Sequence, residues 1–141
     1  MMPKKILIVD DEPDAISFIG TVLEDNHFDY ISADNGNSGI EMARKERPHV
    51  ILLDLIMPEK SGLMMFQEMK KDPELRNIPI VILSGASEVT GVDFKNFIFK
   101  PLPRNGKTVG QGQAFSPDDF LEKPIDPDEL IKAIKKVLEK E

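Results

Sequence analysis

The chain has 141 residues, 40% of them hydrophobic and 30% charged, with a formal net charge of −7 and a pI near 4.9. That length suits one well-buried core, and the acidic balance offers no footprint for a nucleic-acid backbone, so direct nucleic-acid binding is not expected. No apolar run approaches the roughly 20 residues needed to span a bilayer, residues 1–5 do not form a signal-peptide pattern, and cysteine is absent, so no membrane association is expected and a reducing, cytoplasmic location is. His27 and His49 are too isolated in sequence to suggest a histidine metal site.

Strand-sized apolar runs alternate with segments of helical period, the pattern of βα units around a parallel sheet. Residues 6–9 make the first strand and end in Asp10-Asp11. Ile16, Ile19, Val22 and Leu23 then fall on one helical face, with Pro13 tolerated in the first turn. Residues 28–33 read as a second strand and 38–46 as a second helix, halted before Pro48. Residues 50–53 are apolar without interruption, as in a strand covered on both faces, and deliver Asp54 at their carboxyl end. A loop with Pro58 and Gly62 leads to a helix at 63–71, whose methionines Met64, Met65 and Met69 read as packing or surface fill. Residues 80–83 form a fourth buried strand ending at Ser84.

The stretch 87–118 lacks sustained helical period. Within it 94–100 reads as extended and Asn105-Gly106 as a hairpin turn, while Pro101 and Pro103 confine any such strand to an edge. Phe94, Phe97, Phe99 and Phe115 read as a hydrophobic anchor for the segment rather than a partner surface. The last helix announces its start through Asp126 as N-cap, Pro127 at the first position and Glu129 in a capping-box position. Its lysines, within 132–140, suit the negative end of the helix dipole.

In an open parallel sheet, ligands bind beyond the carboxyl ends of the strands, so those ends are compared first. The first offers Asp10-Asp11, the third Asp54, the fourth Ser84, and a short apolar segment before the last helix offers Lys123-Pro124. Clustered carboxylates resist joint ionisation unless a cation shares the site. Mg²⁺ takes oxygen ligands and commonly bridges carboxylates to a phosphate. A carboxylate can itself be the nucleophile, a lysine supplies a second cation, and a serine hydroxyl can bond a phosphoryl oxygen. Singly, each residue has a plainer reading: an N-cap for Asp10-Asp11, a turn residue for Asp54, a loop serine for Ser84, ordinary core for Phe120. Lys100-Pro101 also follows an apolar run, but only 15 residues separate Ser84 from Lys100, too few for a helix plus a strand, so Lys123 is preferred.

Val9-Asp10-Asp11-Glu12, Leu53-Asp54-Leu55-Ile56-Met57-Pro58 with Gly62, Leu83-Ser84-Gly85-Ala86 and Glu122-Lys123-Pro124 occur in this order along nearly the whole chain. In these motifs the sequence resembles the receiver domains of two-component response regulators. The resemblance implies an α/β, doubly wound, flavodoxin-like fold with five parallel strands in the order 2-1-3-4-5. It implies one receiver over 1–141, with 87–118 as an atypical insertion or replacement of the usual fourth helix. It further implies that Asp54 accepts a phosphoryl group from a histidine kinase, a phosphotransfer protein or a small acyl phosphate. Asp10, Asp11, Asp54 and the backbone carbonyl of Ile56 would hold Mg²⁺, Ser84 and Lys123 would contact the phosphoryl group, and Ser84 and Phe120 would form the switch to a downstream protein effector. Such a domain is a regulatory phosphoacceptor that catalyses only its own phosphorylation and dephosphorylation. Two alternatives are a pseudo-receiver interaction module and a haloacid-dehalogenase-type phosphohydrolase. The latter lacks its Asp-x-Asp signature here, because Ile56 stands two residues after Asp54.

Overall fold

Successive side chains of the first strand, β1 (Lys5–Val9), point to opposite faces of a sheet, and this alternation divides the core into two layers. The computed structural model describes residues 3–55, 62–84, 103–104, 107–108 and 118–139. After β1 come α1 (Pro13–Asp25), β2 (Asp29–Ala33), α2 (Gly36–Glu46), β3 (Val50–Asp54), α3 (Gly62–Lys71) and β4 (Ile80–Ser84). A two-residue antiparallel pair, β5 (Pro103–Arg104) and β6 (Lys107–Thr108), precedes β7 (Asp119–Glu122) and the helix α4 (Pro127–Glu139). Five strands form one sheet in the order β2-β1-β3-β4-β7, every neighbouring pair parallel. Counted within that sheet alone, this is the expected order 2-1-3-4-5.

On one face Ile6, Ile8, Val50, Leu52, Val81 and Leu83 pack against Ile19, Val22 and Leu23 of α1 and Leu130, Ile134 and Val137 of α4. On the other, Leu7, Val9, Ile51, Leu53, Ile80 and Ile82 meet Ala43 of α2 and Met65, Phe66 and Met69 of α3. Burying a side chain of this size stabilises the fold by about 1.5–3 kcal/mol, so two-sided burial of β1, β3 and β4 explains their unbroken apolar runs. The methionine reading divides accordingly: Met65 and Met69 are buried, and Met64 is exposed.

Capping shifts some boundaries from those expected. α2 starts at Gly36, two residues earlier, because the Asn35 side chain accepts a hydrogen bond from the Ser38 N–H at 2.9 Å. β2 starts at Asp29, and Phe28 packs into the α1 layer instead. Asp126 is the expected N-cap of α4, accepting from the Glu129 N–H at 2.9 Å. His49 has an ordinary structural role, its Nδ1 accepting the Lys5 N–H at 3.0 Å. β5 and β6 pair with Pro103 opposite Thr108 and Arg104 opposite Lys107, while Asn105 and Gly106, the expected turn, lie outside the described residues. Phe94, Phe97, Phe99, Lys100 and Phe115 lie outside the described residues.

Candidate functional site

Parallel pairing brings the carboxyl ends of β1, β3, β4 and β7 to one edge of the sheet. Val9 pairs with Leu53, Asp54 with Leu83, and Ser84 with Glu122, so Asp10, Asp54 and Lys123 emerge side by side. Asp10 continues the ladder beyond β1, donating its N–H to the Ala33 carbonyl at 3.0 Å, and it is fully buried. Asp54 is only 5% exposed, whereas Asp11 is half-buried. Asp11 also lines an open groove of about 770 Å³, with Ile16, Ala33, Asp34, Met42 and Lys45 in its walls, so this member of the acidic pair is reached from solvent.

Asp10, Asp11 and Asp54 each place a carboxylate oxygen within 4.8 Å of the others. The Lys123 ammonium donates to Asp10 Oδ2 at 3.0 Å, and lies 3.5 Å from Asp54 Oδ2 and 3.6 Å from Glu12 Oε1. Burial pulls the Lys123 pKa down, but the hydrogen bond to Asp10 and the fields of Asp54, Asp10 and Glu12 more than offset this, leaving it above the ordinary lysine value. In ionised form the three aspartates and one ammonium sum to −2, which a divalent cation would cancel. Oxygen-only donors with one open side suit a hard ion such as Mg²⁺.

The acidic pair is not spent on capping. The N-cap of α1 is Glu12, with no side-chain capping bond, followed by Pro13 at the helix start. The Ser84 backbone closes β4 at the same edge, while its side chain and the whole of Ile56 lie outside the described residues. Phe120 is half-buried on β7 and packs on the α2–α3 layer.

Three supporting contacts add to the site: Gly62 and Glu12 stand in the sequence motifs, which do not show what they touch, and Asp118 stands outside them. Gly62 lets the start of α3 press on the end of β3: a Cβ there would lie 2.0 Å from the Asp54 carbonyl oxygen. Glu12 contacts Lys123. Asp118 clamps β7 to the start of β4, its N–H donating to the Ile80 carbonyl at 2.9 Å and its Oδ2 accepting the Ile80 N–H at 2.8 Å. An Asp before a strand is too common a sequence feature to signal such a clamp. Asp118→Ala should lower stability by about 1–2 kcal/mol by leaving the Ile80 N–H without its side-chain partner. Asp118→Asn, which keeps an acceptor, should lose less; equal denaturation midpoints for the two variants would contradict the clamp.

Residues 6–107 match the family model for the response regulator receiver domain. The chain belongs to the receiver family. It is 32% identical over 134 residues to Protein PilH of Pseudomonas aeruginosa, covering 95% of this chain and 97% of that protein. Its identity to the phosphate regulon transcriptional regulatory protein PhoB of Escherichia coli is 28%, over 97% of this chain but only 52% of PhoB, so the receiver spans about half of that relative. The structure superposes on a putative response regulator from Chloroflexus aurantiacus with a TM-score of 0.77 at 22% identity, covering 96% of this chain and 98% of that one. Receivers are regulatory phosphoacceptor domains of two-component systems, and this chain is one of them. The family match spans residues 6–107, and beyond it the structure places Lys123 beside the acids. No helix among the described residues is long and apolar enough to cross a membrane.

Proposed function

We propose that Asp54 is the phosphoacceptor of this receiver, with Asp10 and Asp11 as its metal-binding partners and Lys123 as the cation for the phosphoryl oxygens. The observation that carries this reading is the meeting of three carboxylates within 4.8 Å with an ammonium 3.0 Å from Asp10 and 3.5 Å from Asp54. An Asp54 carboxylate oxygen forms the new bond to phosphorus while the bond from phosphorus to the donor's leaving group breaks. The electron pair departs with that group, as acetate from acetyl phosphate or as the imidazole of a phosphohistidine. Lys123 takes up charge on the phosphoryl oxygens as it leaves the carboxylates. Asp10, Asp11, Asp54 and the Ile56 carbonyl would hold Mg²⁺, which when bound supplies charge neutralisation for the transferring group.

The same proposal assigns Ser84 to a phosphoryl oxygen and to the switch, together with Phe120. The half-buried position of Phe120 on an edge strand, three residues before Lys123, supports that role. A histidine kinase or phosphotransfer protein is the proposed donor, a downstream protein the proposed effector, and the cytoplasm the proposed location. The chain over 1–141 is read as one domain in which 87–118 stands where a fourth helix is usual; the β5–β6 pair supports this.

Incubation with Mg²⁺ and acetyl phosphate, followed by intact mass measurement, should show one phosphoryl adduct. It should disappear in Asp54→Asn and on chelation of Mg²⁺. A folded wild-type protein that takes no adduct, or an adduct that survives in Asp54→Asn, would sink the assignment.

A further inference from the structure

We propose that Glu12 is a positioning residue that restrains phosphorylation by holding the Lys123 ammonium away from the incoming phosphoryl group; this rests on the reading of Asp54 as phosphoacceptor. Glu12 occupies the N-cap position of α1, where its backbone is extended (φ −100°, ψ 115°) and its side chain makes no capping bond. Its N–H donates to Asp10 Oδ1 at 3.0 Å, which fixes the residue beside the buried acid. From there its carboxylate reaches over the site to within 3.6 Å of Lys123 Nζ, while the side chain stays 67% exposed. Lys123 is thus shared among Asp10, Asp54 and Glu12.

Of these three partners, Glu12 is the one outside the cluster of three aspartates. At 3.6 Å the Glu12 contact is an ion pair, longer than a hydrogen bond. Glu12 thus competes with the phosphoryl oxygens for the ammonium through its field, which weakens as the carboxylate is drawn back. Removing it should therefore speed loading. Because the side chain is well solvated, Coulomb's law at high dielectric sets a modest effect, about three- to ten-fold in rate.

The test uses the full chain with Mg²⁺ and acetyl phosphate, following adduct formation by intact mass against time. Glu12→Gln should form the Asp54 adduct about three- to ten-fold faster than wild type. Glu12→Asp keeps the charge but withdraws it from Lys123 by one methylene, so it should resemble Glu12→Gln if contact is the cause. Two outcomes overturn the inference: a Glu12→Gln rate equal to wild type, or a Glu12→Asp rate equal to wild type while Glu12→Gln is faster, which would trace the effect to charge alone. A wild-type protein that takes no adduct removes the phosphoacceptor reading and this inference with it. A wild-type adduct with unchanged variants removes only the inference.

Discussion

Lys123→Met is expected to lower the thermal midpoint of the metal-free protein by about 10 °C at neutral pH, and by much less in excess Mg²⁺. The side chain is 19% exposed and its ammonium lies against Asp10, which is fully buried. Methionine keeps most of the aliphatic stem, so the loss isolates the charge. Stranding one member of a buried pair costs about 3–5 kcal/mol; the partial exposure of Lys123 places the expectation near the lower end, about 3 kcal/mol. Mg²⁺ should recover much of it, because a ligand that binds only the folded state stabilises that state by mass action and here would replace the lost positive charge.

The pH dependence follows from the raised pKa of Lys123. A base whose folded pKa exceeds its unfolded value contributes fully below the unfolded value, here the ordinary lysine 10.5, and loses that contribution as pH rises through the folded one. The gap between wild type and Lys123→Met should therefore be constant from about pH 6 to pH 9. Thermal melts across that range, with and without Mg²⁺, decide the matter. Coincident midpoints, or an equal gap in saturating Mg²⁺, would show that Lys123 does not neutralise the cluster.

Gly62→Ala should cost at least about 2 kcal/mol and weaken Mg²⁺ binding at the same time. The added methyl carbon would sit 2.0 Å from the Asp54 carbonyl oxygen, 2.7 Å from Leu55 Cα and 2.8 Å from the Asp54 carbonyl carbon. All three are backbone atoms, so no rotamer change relieves the contact, and the start of α3 or the end of β3 must shift. The Gly62 N–H donates to the Leu55 carbonyl at 3.0 Å, a bond that the same shift would stretch. Asp54 rides on the displaced peptide, so its carboxylate should leave the position it shares with Asp10 and Asp11. Met64, exposed on the same helix, provides a contrast: Met64→Ala should leave stability and Mg²⁺ affinity nearly unchanged. Calorimetry with a Mg²⁺ titration measures both quantities. Wild-type affinity in Gly62→Ala would mean that the packing of α3 on β3 does not position Asp54.

Much of this architecture is written in local pattern. Residues 50–53 and 80–83 are apolar without a break because both faces of β3 and β4 are buried. The period of Ile19, Val22 and Leu23 marks the buried face of α1. Asp10, Asp11 and Asp54 are legible as a group because strands of a parallel sheet all deliver their carboxyl ends to one edge. Boundaries were less legible, since one side-chain bond from Asn35 extends α2 by two residues.

What the sequence alone determined was the main strands and the three acids at their ends; the sheet order came from its resemblance to receiver domains. The sequence also offered two lysine-proline pairs, at Lys100 and Lys123, and ranked them by loop length and by the capped helix that follows Lys123 at once. The choice at the site belongs to tertiary structure: Asp118 clamps β7 to β4, and that register carries Lys123 to Asp10 across a separation of 113 residues. The approach of Gly62 to Asp54 and of Glu12 to Lys123 are of the same kind. Periodicity and capping describe neighbours along the chain, whereas these contacts depend on distances between strand ends, which exist only after the sheet has assembled.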